Sequence, residues 1–206
     1  MNKSVLIFDL DNTIYPVSSI AKKLFKKLFA VIEDSGEYEG DFEAIKLEIQ
    51  RTPFQKVASA FSFSGQLLKE CMQVHINLTY DDPMQYFQDY ELVRQLPQTK
   101  FLVTSGFSKL QHSKIDNLGI RNDFEEIVIL DLQQTNDTKK DIFKRLLAKY
   151  KLPKEEVLIV GDDIKSEIQA GKELEIDTVI YDHLQKYTDS NYANKIENFA
   201  NLKKFL

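Results

Sequence analysis

The chain has one cysteine, Cys71, among its 206 residues. That excludes an intramolecular disulfide and any C-x-x-C metal site, and leaves Cys71 the role of a small buried apolar group on a helix. Histidine is scarce too: His75, His112 and His183 are scattered without metal-ligand spacing and read as structural or surface groups. No hydrophobic run is long. The first, Val5–Phe8, is too short for a secretory core or a membrane span, so a cytoplasmic protein without a membrane partner is expected. Basic blocks are missing, and 27 Lys and Arg against 32 Asp and Glu give a net charge of −5. Such a balance argues against a nucleic-acid polymer as partner, because displacing counterions from phosphate backbones needs a basic surface. Neither an internal repeat nor a low-complexity segment occurs. What is present, 43% hydrophobic and 29% charged residues, suits a globular chain with one full core and a smaller accessory unit. Nothing in the sequence speaks to oligomeric state.

Short apolar or β-branched runs recur at 5–8, 101–104, 127–130, 157–160 and 178–181, and from the second onward helix-like segments separate them. This alternation predicts an α/β fold, a Rossmann-like doubly wound parallel sheet with ligands at the carboxyl ends of its strands. Some 90 residues separate the first run from the second, far more than one crossover helix needs. They carry helical stripes (Leu24, Leu28, Phe29 and Ile32; Phe42, Ile45 and Ile49), then Val57, Phe61 and Phe63, and a helix around 67–74. We therefore expect a core of residues 1–16 and 84–206, and an inserted all-helical cap domain of residues 17–83 with hinges near 16–19 and 79–83.

Polar residues concentrate where the apolar runs end. "SVLIFDLDNTIYP" runs straight into Asp9 and Asp11. Asp, Asn, Thr and Pro are ordinary turn formers, but two carboxylates aimed at one spot repel unless a hard cation such as Mg²⁺ sits among them. "KFLVTSGFSKL" supplies Thr104, Ser105 and Gly106 at a helix entry, where a hydroxyl and free N–H groups suit phosphate oxygens. In "NDTKKDIFKRLL" Lys139 and Lys140 open an amphipathic helix, where basic residues oppose the helix dipole; they read either as ordinary surface lysines or as a pair of which one has another task. "VLIVGDDIKSEI" ends a second buried strand on Gly161, Asp162 and Asp163, with Glu167 further on.

These four pieces, in this order, resemble the motifs of the haloacid dehalogenase-like hydrolase superfamily: "DLDNT" the first, "VTSG" the second, the "KKDIF" lysine the third and "GDDIKSE" the fourth. The resemblance covers residues 4–16 and 100–182. It leaves Lys139, which we favour, or Lys140 as the third-motif lysine, and Asp163 or Glu167 as the second acid of the fourth.

The resemblance implies a phosphatase. Asp9 would be the nucleophile, forming an aspartyl-phosphate that water hydrolyses, and Asp11 the general acid and base. Thr104, Ser105, Gly106 and Lys139 would bind the phosphoryl group; Asp9, Asp11 (through its backbone carbonyl), Asp162 and Asp163 would form the Mg²⁺ site. Asp11 speaks against dehalogenation, which has no leaving alkoxide to protonate. The expected substrate is a small phosphomonoester, and the "DNTIYP" form resembles the branch with nucleotide 5′-phosphatases. A phosphomutase of the same superfamily is the alternative. From a different class, a phosphoryl-accepting signalling or binding module would place its aspartate after the third strand, at Asp131, and leaves the first-strand carboxylate pair and the long insertion unexplained.

Overall fold

A computed structural model describes residues 3–131, 133–187, 192 and 194–206. Its strands β1 (Val5–Phe8), β2 (Thr99–Ser105), β3 (Glu126–Leu130), β4 (Val157–Gly161), β5 (Asp177–Tyr181) and β6 (Lys195–Ile196) form one sheet in the order β3-β2-β1-β4-β5-β6. All neighbouring pairs are parallel. The first five strands fall on the five apolar runs of the sequence. The sixth, two residues long, offers no run to read.

A central parallel strand must be apolar on both faces, and β1 is buried throughout. Its successive side chains alternate between two cores. Val5 and Ile7 join Phe101 and Val103 beneath Ile142, Phe143 and Leu146, which come from the helix Lys139–Tyr150. Leu6 and Phe8 face the other core, which continues into the helices inserted between β1 and β2. Those helices are α1 (Ser18–Leu24), α2 (Lys26–Ser35), α3 (Phe42–Ile49), α4 (Phe54–Ala60) and α5 (Gly65–Ile76). Leu28, Ile32, Ile45 and Leu67 are wholly buried there, each contributing about 1.5–3 kcal/mol of apolar burial. Cys71 is a free, buried thiol on α5.

The remaining helices are α6 (Tyr90–Arg94), α7 (Ser108–Leu118), α8 (Lys139–Tyr150) and α9 (Gln169–Glu173). Two of them begin where the site is built. Helix α7 follows the turn after β2, and α8 starts at a capping box in which Thr138 accepts from the Asp141 N–H while Asp141 accepts from Thr138. Among the described residues, no helix is long and apolar enough to cross a membrane.

Candidate active site

Sheet order reverses at β1, because β2 lies on one side of it and β4 on the other. Strands diverge at such a switch point, and the crevice beyond their carboxyl ends is where ligands bind. Phe8 pairs with Val160, and the Asp9 N–H donates to the Val160 carbonyl at 3.0 Å, so Asp9 stands beside the turn that carries Asp162. The capping box fixes the start of α8 and with it Lys139, whose buried ammonium reaches Asp9 Oδ1 at 2.6 Å and Glu167 Oε2 at 2.7 Å. Lys140 points elsewhere, pairing with Glu173 at 2.7 Å near the surface.

Carboxylate oxygens of Asp9, Asp162 and Glu167 lie within 4.8 Å of one another, and all three residues are buried. Glu167 gets there from a wide turn, Ile164–Ile168, with Ser166 held at non-helical angles. It packs so tightly on Gly161 that a Cβ there would lie 2.1 Å from Glu167 Oε1. Asp163 contributes its backbone, whose N–H donates to Glu167 Oε1 at 2.8 Å, while its own carboxylate accepts from the Lys165 N–H. Thus the acidic group gathered with Asp9 and Asp162 is Glu167, and the Asp163 carboxylate is spent on a local cap. Lys186 lies 2.5 Å from Asp162 Oδ2.

Burial pushes the Asp162 carboxyl up to about 6, Lys186 opposing the rise and Glu167 adding to it. Asp9 is driven well above the usual carboxylate range by burial, against the pull of Lys139 and with further repulsion from Glu167 and Asp162. Lys139 stays charged: burial opposes its charge, but Asp9 and Glu167 together outweigh it. Three crowded carboxylates are hard oxygen donors, the set that suits a small divalent cation such as Mg²⁺.

Asp11, two residues on, belongs to a separate network. Asn12 takes a left-handed conformation (φ 59°) and accepts from the Val17 N–H, turning the chain sharply after Asp11. The Asp11 carboxylate accepts from Lys114 Nζ at 2.8 Å, Gln111 Nε2 at 2.9 Å and the Tyr15 hydroxyl. Burial opposes its ionisation, but Lys114, Tyr15 and Gln111 more than compensate and hold its carboxyl below the usual range. Gln111 also donates to Thr104 Oγ1 at 2.7 Å, which leaves the Thr104 proton available to another acceptor. Ser105 and Gly106 border the same cleft. Gly106 adopts φ +150° with the Gln111 side chain 3.1 Å from where a Cβ would sit, so no larger residue is accommodated without strain. Asp131, at the end of β3, accepts from the Ser108 N–H and hydroxyl at 2.9 Å and thereby ties the β3 loop to the start of α7.

A cleft of about 180 Å³ opens above these residues, and the inserted helices close its other side with Phe25, Ile49, Phe54 and His75, and with 50–53 and Gln55. Gln111, Lys114, Lys186 and His75 are not among the residues that the sequence motifs mark. For the first two a signal existed, because Gln111 and Lys114 sit on the buried stripe of α7 beside Leu110, Ile115 and Leu118. A polar residue on an inward face needs a partner. Lys186 and His75 carried none, since each is brought in by tertiary packing alone.

The family model of the haloacid dehalogenase-like hydrolases matches residues 3–174. A glyceraldehyde 3-phosphate phosphatase of Methanopyrus kandleri is 25% identical over 195 residues, 87% of this chain and 83% of that protein. In fold, the chain is similar to a Clostridium difficile protein described as a candidate phosphatase, with a TM-score of 0.71 at 18% identity over 100% of this chain and 99% of that one. It is also similar to a Bacillus subtilis candidate hydrolase of the same family crystallised with magnesium, with a TM-score of 0.62 at 17% identity over 100% and 99%. The chain belongs to the haloacid dehalogenase-like hydrolases.

Proposed function

We propose that the protein is a Mg²⁺-dependent phosphatase that hydrolyses a small phosphomonoester through an aspartyl-phosphate on Asp9, with residues 17–83 serving as the cap over the site. The observation that carries this reading is Asp9 itself: a buried carboxylate at the switch point, hydrogen-bonded to Lys139 and clustered with Asp162 and Glu167.

Asp9, Asp162 and Glu167, with the backbone carbonyl of Asp11, are the groups that would hold Mg²⁺. When bound, the ion neutralises charge on the phosphoryl oxygens. Asp9 attacks phosphorus and the phosphorus–oxygen bond to the leaving group breaks; Asp11, a carboxylate in the free protein, takes up a proton as the anionic substrate enters beside it and gives that proton to the departing alkoxide. The Thr104 hydroxyl, whose proton is free, receives a phosphoryl oxygen, while Lys139 screens the phosphoryl group from Asp9. Asp11, now a carboxylate favoured by Lys114, takes a proton from the water that attacks the aspartyl-phosphate. Phosphate leaves and Asp11 is protonated again.

The cleft is smaller than the roughly 300–1,000 Å³ of pockets for drug-sized ligands, which favours a short carbon skeleton. The Methanopyrus relative is named for a three-carbon substrate, whereas the form of "DNTIYP" favours nucleotide 5′-monophosphates. Phosphate release from a panel holding both classes, with Mg²⁺ and with EDTA, tests the reading. Turnover that stops in EDTA and returns with Mg²⁺ is expected; undiminished turnover in EDTA, or none on any ester with Mg²⁺, would overturn it.

A further inference from the structure

His75 lies near the end of α5 with only 4% of its surface exposed, yet it borders the cleft. Its ring is stacked on Phe107 at 5.0 Å between centroids, with Phe54 on it at 4.4 Å and Phe25 at 6.3 Å. Ring orientation and tautomer are therefore both determined. Nδ1 stands 3.3 Å from the Cys71 carbonyl, which can only accept, so Nδ1 carries the proton. Nε2 is then a bare acceptor, and among the described residues no donor reaches it.

Burial, opposed weakly by the Cys71 carbonyl and helped by the Lys114 charge, pushes the imidazole down to about 4, so the ring is neutral at physiological pH. A neutral ring presenting a lone pair repels a phosphate and attracts a hydrogen-bond donor. His75 borders the cleft and Nε2 is not among the buried atoms left without a partner, so water meets it until a ligand's donor takes that place.

Resting on the phosphatase reading above, we infer that His75 Nε2 accepts a hydrogen bond from a hydroxyl of the substrate, which makes His75 a specificity-determining residue and the substrate class the phosphomonoesters of small polyols or hydroxyaldehydes. A site that pairs a hydroxyl discriminates against the analogue lacking it, because the analogue displaces water from the acceptor and offers no donor in return. The aromatic neighbours hold the ring.

The test compares glycerol 3-phosphate with propyl phosphate as substrates for the Mg²⁺-loaded protein. Wild type is expected to favour glycerol 3-phosphate by about tenfold in kcat/KM. In His75→Phe that ratio should fall about tenfold, to the value set by the two leaving groups alone, and His75→Gln, which restores an acceptor, should recover part of it. The ratio cancels the amount of folded variant, and its change from wild type to variant cancels the leaving-group difference between the two esters. As a measurement independent of the His75 variants, the imidazole ¹⁵N spectrum of Asp9→Asn should show the Nε2 resonance moving on addition of glycerol 3-phosphate and not of propyl phosphate. Equal kcat/KM values in wild type, a preference that survives in His75→Phe, or an unmoved Nε2 resonance would overturn the inference while leaving the phosphatase reading intact. Failure to release phosphate from either ester or from any of the panel would overturn both.

Discussion

The ammonium of Lys139 stands 2.6 Å from Asp9 Oδ1, in a contact that water hardly reaches. Its neighbour Lys140 pairs with Glu173 where both side chains are about a third or more exposed. Removing a buried charge that faces the reacting group typically costs about 10²–10³ in kcat, whereas an exposed ion pair is worth at most about 1 kcal/mol and touches no chemistry. Lys139→Ala should therefore lose about 10²-fold or more in kcat and Lys140→Ala less than about twofold. Steady-state kinetics on one phosphomonoester decides it, and the reverse ranking would move the third-motif role to Lys140.

Glu167 and Asp163 divide the fourth motif in the same way. Glu167 is clustered with Asp9 and Asp162, while the Asp163 carboxylate caps the Lys165 N–H. Titration calorimetry with Mg²⁺ should find Glu167→Gln weakened by about 10–100-fold, the range seen when a group that holds a metal site together is lost. Asp163→Asn should bind within about threefold of wild type. A strong loss in Asp163→Asn with little in Glu167→Gln would exchange their roles.

His75 also makes stability depend on pH. Its folded-state value is near 4, against an ordinary value of 6.5 in the unfolded chain. Between those values the unfolded state binds the extra proton, so the stabilisation is complete above pH 6.5 and is lost as pH falls toward 4. The 2.5-unit gap corresponds to about 3 kcal/mol. Other carboxylates titrate in that window too, so the informative quantity is the difference between proteins. Urea unfolding at pH 7 and pH 4.5 should show wild type losing about 2–3 kcal/mol more than His75→Phe. Equal losses would show that His75 takes up its proton without unfolding.

How far the sequence reached follows from which interactions are local. The core strands were legible because a parallel strand buried on both faces must be a short continuous apolar run, as in β1 and β4. Asp9 and Asp162 were legible because chain order places them directly after those runs. Glu167 stood as one of two candidates: the choice depends on a non-helical turn at Ser166 and on the missing Cβ of Gly161, and no residue pattern announces either. Lys114 reaches Asp11 across 103 positions of chain. His75, which reads from sequence as a structural histidine, gains its place at the cleft through packing against Phe54 and Phe107. Tertiary contacts of that kind leave no periodic trace.

The central claim is that Asp9 bears the phosphoryl group while Asp11, held by Lys114, Gln111 and Tyr15, moves protons. Asp11→Asn keeps the nucleophile and the backbone carbonyl but removes the proton carrier, so alkyl phosphates should turn over about 10²- to 10⁴-fold more slowly. An aryl phosphate needs little protonation of its leaving group, so transfer to Asp9 should persist while hydrolysis of the adduct stalls. Intact-mass analysis of Asp11→Asn mixed with an aryl phosphate and Mg²⁺ is the most direct measurement. The account predicts a burst of leaving group and one phosphate adduct mapped to Asp9, absent from Asp9→Asn; an adduct of equal size in Asp9→Asn, or wild-type turnover of alkyl phosphates by Asp11→Asn, would contradict it.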